Sequence, residues 1–175
     1  MNLRQTLENR IRLRDIRLLC SEAAARPDVA EQLYALTLDP DARVAYNALW
    51  VLTHLPAADC RALLHPRRDR LIDCALGETH VGKLRLLLTL LDKLPPERNE
   101  LRGDYLDFCL ERINSTEPYA IRAFCLKQAY AQCRHYPELL AELRVAIDLM
   151  ERSELPPGLR CARRNLLRRL SRGAI

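Results

Sequence analysis

Arg43, Tyr46, Asn47, Trp50 and His54 follow one another at i, i+3, i+4, i+7 and i+11. That spacing brings side chains to one face of an α-helix. The only tryptophan of the chain would thereby share a surface with an arginine, a tyrosine, a histidine and an asparagine. Aromatic rings beside a guanidinium are the usual anchors of a binding surface. On this reading Trp50 is the apolar anchor and Arg43 the group that pairs with a carboxylate or phosphate. Arg85 and Thr89, on a following apolar segment, extend the same surface. The contrasting reading packs this face under a neighbouring helix, since Trp is mostly buried in folded proteins.

A second constellation is purely cationic. Residues 156–175 hold Arg160, Arg163, Arg164, Arg168, Arg169 and Arg172 and no acid. Such a run suits the phosphates of a nucleic acid or an anionic surface. It equally suits a terminal helix with a solvated face and cations near its C-terminal end. No aromatic residue for base stacking lies among these arginines. Residues 1–19 are also basic, and the middle of the chain is mildly acidic, within a net charge of +5. The 25 arginines against 3 lysines fit a genome-wide bias as well as a phosphate-binding role.

Catalytic chemistry finds no matching pattern. There is no G-x-S-x-G, no P-loop and no G-x-G-x-x-G. The carboxylate pairs Asp69/Asp73 and Asp104/Asp107 stand beside Arg68, Arg70 and Arg102, where solvated charge networks are the default. The chain has seven cysteines at wide spacings and no C-x-x-C, so neither a zinc site nor a disulfide framework is indicated. The expectation is a protein without catalysis, metal or cofactor, in a reducing cytoplasmic setting. No apolar run reaches the roughly 18 residues of a membrane span.

These side chains must be held by helices. With 175 residues, 49% of them apolar, the chain is long enough for one domain with its own core. Gly (5) and Phe (2) are scarce and β-branched residues are few, which disfavours strands. Prolines cut the sequence into segments with apolar positions at helical spacing. They read as a long helix over 3–25, then 28–38, a helix from Ala42 to about His54, one from Pro66 to Gly77, and 79–94. Residues 101–113, 118–135, 138–152 and 159–172 complete the set. Asp39-Pro40-Asp41 reads as a cap and first turn. Three helices end alike, in His54-Leu55-Pro56, Lys93-Leu94-Pro95 and His135-Tyr136-Pro137, with the prolines 39 and 42 residues apart. The cations at those ends suit the negative pole of a helix.

A helix pair of that period resembles the HEAT-like and armadillo-like α-solenoid superfamily. The stretch Asp39-Pro40-Asp41-Ala42-Arg43-Val44-Ala45-Tyr46-Asn47-Ala48-Leu49-Trp50-Val51-Leu52 carries the resemblance, as it looks like the second helix of a HEAT unit. Later units keep the spacing and lose the wording: Gly82 and Phe124 stand where Arg43 stands. The resemblance implies an all-α, right-handed α-α superhelix of about four HEAT-like helix pairs plus the long N-terminal helix. The chain would form a single HEAT-like domain over 1–175, capped by residues 1–26 and by the basic helix of 156–175. It implies a non-catalytic scaffold that binds another protein in a groove formed by successive second helices. The alternative is a nucleic-acid-binding relative, such as the HEAT-like glycosylases for alkylated bases. Trp50, Tyr46 and the basic face match those in residue type, but no catalytic Asp aligns by motif.

Overall fold

The computed structural model describes residues 2–150 and 155–172, and every regular element among them is helical. The chain divides into two compact units, residues 1–94 and 95–175. The first holds α1 (Leu3–Glu8), α2 (Leu13–Ala25), α3 (Pro27–Leu36), α4 (Ala42–Leu52), α5 (Ala57–Leu64), a 3-10 turn (His65–Arg67), α6 (Arg68–Gly77) and α7 (Val81–Asp92). The second holds α8 (Gly103–Ile113), α9 (Tyr119–Cys133), α10 (Pro137–Asp148) and α11 (Pro157–Arg172).

The N-terminal segment is two helices, not the one expected over 3–25. The apolar phase explains the break. Leu3 and Leu7 are buried on α1, and Ile16, Leu19, Cys20 and Ala23 on α2. At roughly 100° per residue, a straight helix would put these two sets on opposite faces. The chain therefore opens at Asn9–Arg12, where Asn9 is extended and its amide donates to Gln5 O (2.9 Å). Ile11 stays buried within the opening, and Asp15 restarts the helix by accepting from Arg12 N (2.8 Å). Leu18, in phase with Leu3 and Leu7, is left exposed.

A further helix, α5, lies between Pro56 and His65, where the sequence reading left a link. Cys60, Leu63 and Leu64 bury its inner face. Two boundary details also shift. The cap of α4 is Asp41, whose carboxylate accepts from Arg43 N (2.8 Å) and Val44 N (3.2 Å). Gly77 is the last residue of α6, and no described glycine has a positive φ, so it is not a left-handed cap. Asp39 instead braces the turn before α4, accepting from Arg4 Nε (2.8 Å) and Asp41 N (2.8 Å). The Arg4 bond, then the Asp41 amide, hold its carboxyl below the usual range. Its contribution to stability is thus present above the ordinary carboxyl range and lost as pH falls through the lowered value.

α4 and α7 pack side by side at the centre of the first unit. α4 buries Val44, Ala45, Ala48, Leu49, Val51 and Leu52; α7 buries Leu84, Leu86, Leu87, Leu88, Leu90 and Leu91. Beyond α7, the Lys93 ammonium donates to Thr53 O (2.5 Å) and Leu55 O (3.4 Å), carbonyls left bare where α4 ends. The cation therefore serves the neighbouring helix rather than only its own.

In the second unit α8 and α9 enclose Tyr105, Cys109, Ile121, Cys125 and Cys133, all fully buried. Burial, with a bond from Cys125, pushes the Cys109 thiol well up. Burial pushes Cys133 up to about 12, with Glu142 adding to it. Cys161 on α11 is exposed. Because the thiolate is the reacting form, a native-state thiol titration at pH 8 should modify Cys161 first. Cys109, Cys125 and Cys133 should react only on denaturation; early loss of these three would contradict the packing. Lys93→Met should cost about 1–3 kcal/mol by urea denaturation, because it strips donors from the end of α4.

Candidate functional site

α4 is covered on two sides, so only a narrow arc of it reaches solvent. Arg43 and His54 are exposed, and Tyr46, Trp50 and Thr53 are half-buried. His54 Nδ1 donates to Trp50 O (3.0 Å). The Trp50 and His54 rings meet edge to face at 6.3 Å. Thr53 Oγ1 donates to the same Trp50 carbonyl (2.7 Å). The indole is thus held at the end of α4 with one edge still in water.

Asn47 leaves this surface. It is 6% exposed, and its amide donates to Leu7 O (2.8 Å) and Asn9 O (3.3 Å), the carbonyls where α1 ends. The residue expected to meet a partner instead closes the N-terminal break. Its helical spacing placed it at the border of the exposed arc, and only the arrival of α1 decided which side it took.

Arg85 is exposed and Thr89 half-buried on α7, in line with Val81. Thr89 Oγ1 donates to Arg85 O (2.7 Å), so its hydroxyl is turned onto its own helix. The gap in the repeat at Gly82 has a steric cause. A Cβ there would lie 2.9 Å from His80 Cε1 and 3.1 Å from Tyr46 Cε2. The Tyr46 ring, which meets His80 edge to face at 6.3 Å, occupies the space an arginine would need. His80 also caps α7, with Nδ1 accepting from Lys83 N (3.2 Å). Arg43, Tyr46, Trp50, His54, Arg85 and Thr89 therefore remain on the α4 and α7 surface. It is cationic, with two aromatic rings.

On α11, Arg160, Arg164, Arg168, Arg169 and Arg172 are exposed. Arg163 is not: it is 7% exposed, its Nε donates to Ile147 O (3.0 Å), and its Nη2 lies 4.0 Å from Asp148. It plugs the end of α10 and leaves the set of free anion contacts. Arg169 lies over the Tyr130 ring at 5.9 Å, an aromatic neighbour that α9 supplies.

Of the carboxylate pairs, Asp104 is engaged by an arginine. Asp104 accepts from Arg102 Nε (2.9 Å) and Nη2; that bond, with others from backbone amides, holds it low. Among the described residues, no group of three or more His, Cys, Asp or Glu side chains is placed to hold a metal ion. No described helix is long and apolar enough to cross a membrane.

A protein-family model described as a HEAT repeat domain matches residues 3–170. No curated protein and no solved structure gives a match. Asn47→Ala should lower stability by about 1–3 kcal/mol, since two end-of-helix carbonyls lose their donor. Arg43→Ala, on the exposed arc, should stay within about 0.5 kcal/mol. Equal effects in urea titrations would reverse the assignment of the two residues.

Proposed function

We propose that this chain, which belongs to the HEAT repeat domain family, is a non-catalytic interaction module that binds another protein through the α4 and α7 surface. The family supports the general role, because HEAT repeats form helical scaffolds that commonly mediate protein interactions. The observation that carries the finer reading is Trp50. It is half-buried, with His54 edge to face against it, on a helix that packing otherwise buries over Val44, Ala45, Ala48, Leu49, Val51 and Leu52.

The physical logic is one of preorganisation. α4 is fixed on both flanks, and Trp50 O accepts from two side chains of the next turn. A partner closing over the indole would therefore order little that is not already ordered, which keeps the entropic cost of association low. Covering the remaining edge of a Trp between cations makes it the natural anchor, and the arginines select carboxylates around it. The cytoplasm is the setting that seven unpaired thiols favour. The nucleic-acid alternative draws on α11, whose ligand class is tested separately below.

Photo-crosslinking in the native host tests this reading. A benzophenone side chain at Arg43 or Arg85 should capture one discrete partner, and the same group at Arg61 or Arg70 should not. Trp50→Ala should reduce capture from position 85 roughly tenfold while far-ultraviolet dichroism stays unchanged. Capture at all four positions alike, or capture indifferent to Trp50, would overturn the assignment.

A further inference from the structure

The second unit carries a cavity of about 560 Å³ beside the N-terminal half of α11. Arg160, Arg163 and Arg164 are among its lining residues, and Leu155, Pro157 and Leu167 supply an apolar wall. We propose that this cavity and the arginine line leading from it bind an extended acidic peptide. An aliphatic side chain of that peptide fills the cavity, and successive carboxylates pair with Arg164 and Arg168.

Three observations carry this. First, one of the cations is built in. Arg163 is buried and held by its bond to Ile147 O at 3.0 Å, so a charge stands at the cavity wall before any ligand arrives. Among the described residues it lies 4.0 Å from Asp148, which is shared with Arg144 at 3.1 Å. Second, no carboxylate lines the cavity among the described residues, and α11 contains none. The complementary group is therefore an anion, and guanidinium forks match carboxylates in bidentate geometry. Third, the spacing fits a strand. Arg160, Arg164, Arg168 and Arg172 recur every four residues, or about 6 Å along the helix. Alternate side chains of an extended peptide recur at about 6.6 Å on one face.

The apolar wall decides between classes of anion. A phosphodiester chain has no aliphatic group to place against Leu155, Pro157 and Leu167, and no aromatic ring lines the cavity to stack a base. Tyr130 already lies under Arg169, and the Tyr119 ring, against Gly158 at the start of α11, is not among the residues that line the cavity. A peptide with a leucine followed at the second and fourth positions by glutamates satisfies both walls. This site is independent of the α4 and α7 surface, since all its groups belong to the second unit.

Fluorescence anisotropy on the full chain tests the proposal, with the labelled peptide Leu-Ser-Glu-Ser-Glu-Ser at about 50 mM salt, where charge contacts are strong. Saturable binding is expected. Arg160→Gln with Arg164→Gln should weaken it roughly tenfold, Leu167→Ser should also weaken it, and Trp50→Ala and Arg70→Gln should leave it unchanged. A peptide with glutamines in place of glutamates should not compete. Absence of saturable binding, or binding indifferent to the double variant, would sink the proposal. So would a single-stranded oligonucleotide of equal charge that displaces the peptide and binds more tightly, because the surface would then belong to nucleic acid. Both glutamine substitutions are at exposed positions, and unchanged helical dichroism verifies that each variant remains folded.

Discussion

Short helices have many ends, and every end leaves carbonyls without amide partners. The described α-helices run from 6 to 16 residues, prolines end several of them, and helices of that length are marginal alone. What makes them stable together is that one element's donors satisfy the next element's bare carbonyls. In the first unit Lys93 donates to Thr53 O and Leu55 O, the Cys20 thiol to His54 O, Asn47 to Leu7 O, and Arg68 Nε to Leu94 O. In the second unit Arg134 donates to Pro96 O, Tyr136 to Arg98 O, Asn114 to Ala146 O, and Arg163 to Ile147 O. Apolar stripes supply the attraction between helices, but these bonds fix which end meets which.

This constraint also changes the meaning of the arginine-rich composition. A long side chain with five donors can cross from one helix to the carbonyls of another. Arg122 Nε on Ile113 O does so, and Arg134 Nη2 reaches Pro96 O in the link before α8. Arg67 adds a bidentate pair with Glu31 at 2.9 Å and lies over Tyr34 at 4.9 Å. Many of the cations thus belong to the architecture rather than to an anionic partner. The proposed surfaces draw on cations that stay exposed on α4, α7 and α11.

The same economy shapes the two proposed surfaces. α4 is the element most enclosed by neighbours, so its few water-facing residues are held on a rigid backbone. Trp50 is placed by packing that also buries Leu49, Val51 and Leu52 on either side of it in sequence. On α11 the enclosed residues are Leu159, Arg163 and Leu166, and the outward arginines follow from that phase. In both helices the exposed set is what the core leaves over.

The sequence by itself determined the helical class, the repeat period and the faces of α4 and α11. Each follows from periodicity, proline placement and composition, which are local properties of the chain. The second helix of the first pair was legible in its apolar face and its acid-proline turn. Even the break between α1 and α2 left a trace, in apolar positions that change phase between Leu7 and Ile16. Only the tertiary structure decided that Asn47 and Arg163 turn inward and that Lys93 reaches across to α4. It alone showed that Tyr46 takes the space above Gly82. Those outcomes depend on which carbonyls and which empty volumes a neighbouring helix brings. A polar residue at the border of a helix face goes to whichever side offers it a partner, and that partner lies 40 positions away for Asn47 and Lys93 and 16 for Arg163.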